Sequence, residues 1–329
     1  MGRRLIIWTL KDIKESIQIM TTAEKKFDAI VFIEGNRGLG KCQVKGDKVF
    51  MYDGTWKNIE NIIPGDKVIS PQKDGTCSIA TVLNTHSRFE EEIYSIRQVT
   101  REKKILYKCA WNHEIPVHTG HSPRIKGDWK KRGKRQIILK IMNARRLSQA
   151  HTKGSHYTSF SSPLINFNMK NPNIDPYTLG AWIGDGHFQK DLGITTKDKE
   201  IIDSVRNAYP LDYLKGYRKK DNLATTYRFS TIGILSKQLE DFGLRYKKSH
   251  NKFIPKNVLI APAEYRFNVL AGLIDTDGYV MKNRDNHIEY TTKSEQLAKD
   301  VKDLVCSLGG HAHINNIQKK CQNGFVGDY

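Results

Sequence analysis

The sequence predicts a multidomain chain: a short α/β fragment, then an all-β domain, then an α+β domain with two pseudosymmetric halves. Three observations lead there. The 329 residues exceed what one hydrophobic core holds, since single cores stop growing near roughly 250 residues. Residues 42–150 run as short β-type segments broken by Gly, Pro and Asp turns, with little helical periodicity. Residues 171–329 contain an internal repeat whose order in both copies is helix, Asp-Gly, strand, Thr-Thr-Lys, helix.

The elements follow in chain order. Residues 1–41 read as an amphipathic helix over "DIKESIQIMTTAEKKF", an apolar strand "AIVFI" and the glycine-rich turn "EGNRGLGK", the opening of an α/β unit. In residues 42–150 the strand candidates are "KVFMY", "KVIS", "IYSI" and "QIILKI". The polar stretch around residues 151–170, beginning in "SQAHTKGSHYTSFSS", reads as a linker or exposed loop. The repeat then pairs "YTLGAWIGDGHF" and "GITTKDKEIIDSVRNAY" with "VLAGLIDTDGYV" and "EYTTKSEQLAKDVKDLVCSLG". Asp175 and Pro176 form an N-cap and first-turn pair for the first motif helix, and Pro262 is expected at the first position of the second.

Charge narrows the function classes. Against 35 Asp+Glu stand 54 Lys+Arg, a formal net charge of +19 that suits a polyanionic partner, and nucleic acid leads that list. The five cysteines are dispersed, with no CxxC pair to suggest zinc, and a reducing compartment is expected. The apolar run in "MGRRLIIWTL" is too short for a signal-peptide core, and no later run reaches the roughly 18 apolar residues of a membrane span. The expectation is a soluble, cytoplasmic chain.

The repeat carries the chemistry. Each motif helix has Gly five residues before its terminal Asp, Gly180 before Asp185 and Gly272 before Asp277. Glycine in a helix costs stability, so matching glycines point to close approach of the two helices. Packed side by side, the helices bring Asp185 and Asp277 together at their C-terminal ends, where like charges and two helix dipoles are jointly unfavourable. A divalent cation removes that conflict. Hard cations such as Mg²⁺ take carboxylate and water oxygens and leave positions for phosphate, which makes the pair a candidate phosphodiester hydrolysis centre. For one copy alone, an Asp-Gly helix end would be the better reading. The second copy, on a basic chain, reverses that.

These motifs resemble the LAGLIDADG homing endonucleases. "LAGLIDTDG" departs from the family name in one letter, Thr276, and "LGAWIGDG" is similar to the variant common in endonucleases carried inside inteins. The resemblance implies that Asp185 and Asp277 are metal-binding catalytic acids, with Mg²⁺ or another divalent cation as cofactor. It also implies double-stranded DNA as partner and a monomer whose internal pseudo-two-fold repeat forms two curved sheets over the DNA. "NKFIP" resembles the lysine-containing block between the motifs, which makes Lys252 the candidate auxiliary lysine and Lys293 a second, with phosphate contact or solvated surface as the alternative for both. The basic run Asp128–Lys140 is either an extension of the DNA footprint or a solvated face.

The β region supplies a second resemblance. "CQVKGDKVF" followed by "GTWKNIENIIPGDKVIS" is similar to the start of an intein, the Hint fold, and "VHTGHSPRIK" to its second splicing block. In that chemistry the Cys42 thiol attacks the Lys41 carbonyl to form a thioester, and His121 protonates the departing amide nitrogen. The family usually has Thr three residues before this His. Here His118 stands there, with Thr119 one place along.

Before Cys42, "GNRGLGK" matches G-x-x-x-x-G-K, the phosphate-cradling loop, and stops where that motif calls for Ser or Thr. Residues 1–41 therefore read as the N-terminal piece of a P-loop ATPase host interrupted inside its nucleotide loop. The sequence ends at "NGFVGDY" without a second splicing segment, and the second endonuclease half is expected to be incomplete. Two alternatives stand beside the endonuclease: a splicing- or cleavage-defective DNA-binding module, and a P-loop ATPase, which would need a hydroxyl after Lys41.

Overall fold

The computed structural model describes residues 2–8, 19–35, 41–71, 77–98, 105–121, 124–125, 128–132, 136–152, 158–159, 164–165, 167, 169–188, 191–218, 224–281, 287–320 and 326–328. The chain divides into two compact units, one of residues 14–162 and one of residues 1–13 with 163–329. Among the described residues no helix is long and apolar enough to cross a membrane.

In the 14–162 unit the described residues are mostly strands. The long strand Cys77–Gln98 pairs with Lys67–Pro71, Ile105–Ala110 and Ile19–Gly35, all antiparallel. A glycine turn sets the approach of its early strands. Gly65, in the Pro64-Gly65-Asp66 turn, has φ +93 and donates to the Val82 carbonyl at 2.8 Å, while Asp66 accepts from the Ile63 amide and from Lys57 Nζ. Val49, Met51, Ile59, Ile62, Val68, Ala80 and Val82 form one small core beside them. Helix α1 (Ala144–Thr152) closes a second core through Ala144 and Leu147, packed with Tyr94, Ile96 and Val117.

Three expectations need correction. The helix expected over residues 12–27 is, from Ile19 onward, part of the strand Ile19–Gly35, which pairs along Cys77–Gln98. A long antiparallel partner outweighs weak helix propensity in a segment that also carries Ile, Thr and Thr at strand-compatible spacing. The α/β unit expected from residues 1–41 is instead two described strands in two different sheets, because Gly2–Trp8 pairs with His287–Thr292 and His311–Lys320. The glycine-rich turn at residues 36–40 lies outside the described residues. Finally, the stretch read as an exposed linker contributes to a core: Ile165 and Phe167 are buried, and Ile165 donates its amide to the Ser307 carbonyl at 2.9 Å.

The 163–329 unit holds the repeat. Its helices are α2 (Pro176–Asp185), α3 (Lys199–Ala208), α4 (Ile234–Asp241), α5 (Lys256–Leu259), α6 (Ala263–Asp277) and α7 (Glu295–Ser307). One sheet has the order Gly186–Phe188, Leu192–Thr196, Thr225–Phe229, Tyr213–Tyr217. The other runs Gly278–Val280, His287–Thr292, Gly2–Trp8, His311–Lys320, Val326–Asp328. One core spans both, with Leu179, Trp182, Phe188 and Phe229 from the first copy beside Val269, Leu273, Tyr290 and Leu304 from the second.

The helix starts follow local chemistry. Asp175 accepts the Thr178 amide at 2.7 Å with Pro176 as the first helical residue, as the sequence predicts. Ser294 caps α7 by accepting the Leu297 amide at 3.1 Å. Pro262 is the N-cap of α6 rather than its first helical residue, one position from the expectation.

Candidate active site

Helices α2 and α6 meet through their glycines. A Cβ built on Gly180 would stand 2.1 Å from the Val269 carbonyl oxygen, and one on Gly272 would stand 2.3 Å from that of Tyr177. Toward the other end, a Cβ on Gly184 would lie 2.0 Å from Thr276 Oγ1 and 3.4 Å from Asp277 Oδ2. Contacts advance together along both helices, Tyr177 with Gly272 and Gly184 with Thr276, so the helices run in the same sense and their C-terminal ends coincide. Thr276, the letter that departs from the family name, turns its hydroxyl back to the Gly272 and Leu273 carbonyls at 2.9 and 3.0 Å.

Both helices end on an aspartate and pass at once into a strand. The following glycines, Gly186 and Gly278, are extended, with φ −77 and −89, so no left-handed turn calls for them. Close approach does: a Cβ would fall 2.4 Å from the Trp182 carbonyl oxygen in one copy and 2.4 Å from that of Ile274 in the other.

The two carboxylates of the "DTD" segment have different surroundings. Asp275 accepts the Tyr177 hydroxyl at 2.8 Å, a tie between the two helices. Asp277 stands at the shared helix end with Asp185. Burial, then the charge of Asp277, pushes the Asp185 carboxyl up to about 7, with Lys252 pulling the other way. The hydroxyl of Tyr290 is fully buried, has no hydrogen-bond partner among the described residues, and is raised well above its usual range by burial and by the charges of Asp277 and Asp185.

The positive group that two helix C-termini demand is Lys252. Only 5% exposed, its Nζ donates to the carbonyls of Trp182 (3.1 Å), Gly184 (2.9 Å) and Gly186 (2.7 Å), and lies 5.1 Å from the Trp182 ring centroid. An ammonium has three hydrogens, and three carbonyls at the end of α2 accept them. Burial lowers its pKa to about 8, opposed by Asp277 and Asp185. All three hydrogens of Lys252 are directed at main-chain carbonyls, and its charge is felt by both carboxylates. Its segment is fastened to α7: Ser294 Oγ donates to the Lys252 carbonyl at 2.6 Å, and the Ile254 amide donates to buried Asp300 at 2.8 Å. Replacing Lys252 with Met should strip the ammonium from three carbonyls, of which only that of Trp182 keeps the Gly186 amide as a donor to the α2 end, and cost about 2–4 kcal/mol, read as a lowered denaturant midpoint with unchanged slope. A variant as stable as wild type would show that the lysine is not the cap described.

Other residues singled out in the sequence are placed as follows. Lys293 is exposed, one residue before the cap of α7. Cys42 lies in the strand Lys41–Val44, opposite Phe32, and His121 ends the strand Glu114–His121, opposite Gln136. Those strands belong to separate sheets of the 14–162 unit, and the side chains of Cys42, His118, Thr119 and His121 lie outside those described. Sequence reasoning missed Tyr290 and the fully buried Arg266. Arg266 donates to the Ala261 carbonyl at 2.7 Å, to Ser307 Oγ and to the Ile165 carbonyl, pinning Ile165 to α6 and α7. Tyr290 had one available signal: it precedes Thr-Thr-Lys where the first copy has Ile194.

Similarity to known proteins is partial. The chain is 33% identical over 136 residues to the replicative DNA helicase DnaB of Mycobacterium intracellulare, covering 41% of this chain and 19% of that protein. It is 39% identical over 90 residues to DnaB of Synechocystis sp., covering 26% and 10%. To the ATP-dependent DNA helicase Hel308 of Thermococcus kodakarensis it is 29% identical over 149 residues, covering 42% and 13%. The chain thus spans less than a fifth of the length of these curated relatives. Residues 264–326, which take in nearly all of α6 together with α7, match the family model of the LAGLIDADG-like domain.

Proposed function

We propose that this chain is a site-specific DNA endonuclease that hydrolyses phosphodiesters at Asp185 and Asp277, carried in an intein whose N-terminal splicing junction is Lys41-Cys42. The observation that carries the nuclease reading is the pair of aspartates at the coincident ends of two glycine-packed helices. The LAGLIDADG-like match over residues 264–326 and the net charge of +19 support it. The partial matches to DnaB helicases are compatible with an intein in an ATPase host.

The donor set suits a hard divalent cation. Two carboxylates would hold it and the remaining positions would fall to phosphate and water, as Mg²⁺ prefers. When bound, the cation neutralises charge on the phosphodiester and lowers the pKa of water. The protein's own groups set the stage. Two like charges are forced together by helix packing, a buried lysine partly offsets them, and the raised Asp185 is poised to lose its proton when a cation arrives. The sheet Gly186–Phe188 to Tyr213–Tyr217 turns Phe188, Ile194 and Phe229 to the core. Its opposite face carries the hydrogen-bonded Thr195 and Thr226 and Arg228 stacked 4.5 Å from the Tyr217 ring, polar groups suited to a DNA groove. The internal repeat lets a monomer read a long asymmetric site.

Two measurements test the reading. Plasmid carrying the host gene without its insertion should be linearised with Mg²⁺ and not with EDTA, and metal-independent or sequence-independent cutting would refute it. Retained DNA binding without any cutting would favour the binding module instead. For the junction, a small thiol should release a peptide ending at Lys41, with Cys42→Ala and His121→Ala each suppressing release; intact precursor from a folded sample would count against the splicing element.

A further inference from the structure

The two sheets of the 163–329 unit differ in where one strand comes from. In the first, Leu192–Thr196 leads through α3 to Tyr213–Tyr217, and the chain then returns as Thr225–Phe229 between those two, antiparallel to both. In the second, His287–Thr292 leads through α7 to His311–Lys320, but the next strand, Val326–Asp328, pairs on the far edge of His311–Lys320. The central slot is filled by Gly2–Trp8, nearly three hundred residues away, antiparallel to both neighbours with an unbroken register. Leu5 stands opposite Tyr290 and Ile314, and Ile7 opposite Ile288 and Ala312, partners that belong to or pack on the core. Left empty, the slot would expose the unpaired backbone groups of two strands beside the buried Tyr290.

We propose that the second sheet is a strand-acceptor site and that residues 2–8, despite lying before the splicing junction, are its occupant. The partner class is an extended segment bound through main-chain hydrogen bonds, with apolar residues at the alternate positions held by Leu5 and Ile7. Two consequences follow. The sheet depends on a segment that the junction chemistry would separate covalently from it. After scission at Lys41-Cys42, the N-terminal peptide should stay bound through Gly2–Trp8 as well as through Ile19–Gly35, a consequence that rests on the splicing reading above.

The test reads hydrogen exchange in the full chain without DNA, metal or thiol, so its failure is separate from failure of the nuclease reading. Leu5→Pro removes a backbone donor and a strand-compatible residue at the centre of the slot. Amide exchange in His287–Thr292 and His311–Ile317 should rise about tenfold or more, while Leu192–Thr196 and Thr225–Phe229 keep their protection. Adding the synthetic peptide of residues 2–8 should restore protection. Unchanged exchange in the two flanking strands would overturn the proposal. Should the variant fail to fold, Arg4→Cys with Thr291→Cys decides in an otherwise unaltered sheet. This register pair should form a disulfide on mild oxidation and the off-register pair Arg4→Cys with Ile288→Cys should not; equal yields from both pairs would refute the assignment.

Discussion

Asp185→Asn should yield a protein that is more stable than wild type at pH 8 and does not cut DNA. The folded structure raises the Asp185 carboxyl from 3.8 to about 7, so between those values the folded state binds a proton that the unfolded state has lost. Stability from this group is fully present below about pH 4 and is lost as pH rises through 7. Asparagine keeps the shape and never ionises. Discounted for partial exposure, the gain at pH 8 without divalent cation should be about 1–2 kcal/mol, shrinking toward zero at pH 4. Cleavage should fall on the order of 10³-fold or more, while DNA affinity is retained because no groove contact is removed. Adding Mg²⁺ should stabilise wild type and not the variant. A variant that cuts at full rate would end the assignment of Asp185, and one that is less stable at pH 8 would mean the two carboxylates are not in conflict.

Gly180→Ala should destabilise the 163–329 unit even though alanine is the better helix former by about 1 kcal/mol. The added Cβ would lie 2.1 Å from the Val269 carbonyl oxygen, which belongs to helix backbone and cannot turn aside. The net loss is expected at about 2–4 kcal/mol, seen as a lower denaturant midpoint. Gly272→Ala meets the Tyr177 carbonyl in the same way, and because one separation of the helices relieves both clashes, the double variant should lose less than the sum. DNA cutting should be lost in either variant, since moving α2 from α6 parts the aspartates. A Gly180→Ala protein as stable as wild type would show that the helices are not in backbone contact.

The repeat was legible because it is local. Pattern, caps and paired glycines within a dozen residues announced α2, α6 and their union, and Asp175 with Pro176 marked the start of α2. The opening segment was misread for the complementary reason. "IQIMTTAEKKF" satisfies a helical period over a few turns, yet its residues 19–25 pair with residues 92–98 of the strand Cys77–Gln98, more than sixty residues away, and no local window contains that partner. The supposed linker failed likewise, since Ile165 and Phe167 look like isolated apolar residues until Arg266 and Ser307 close around them.

Short-range periodicity, residue spacing and charge were enough to establish the paired helices, the aspartates at their ends, a lysine in the block between them and a basic chain fit for a polyanion. Each depends on neighbours in sequence or on composition, both open to inspection in one dimension. Only the tertiary structure decided that Lys252 spends its three hydrogens on the carbonyls ending α2, that Tyr290 lies buried within the field of both aspartates, and that Gly2–Trp8 occupies the centre of the second sheet. The reason is physical: a charge finds its partner, and a strand its slot, through contacts between segments tens to hundreds of residues apart, whose free energy is set by burial and pairing after the chain has folded back on itself.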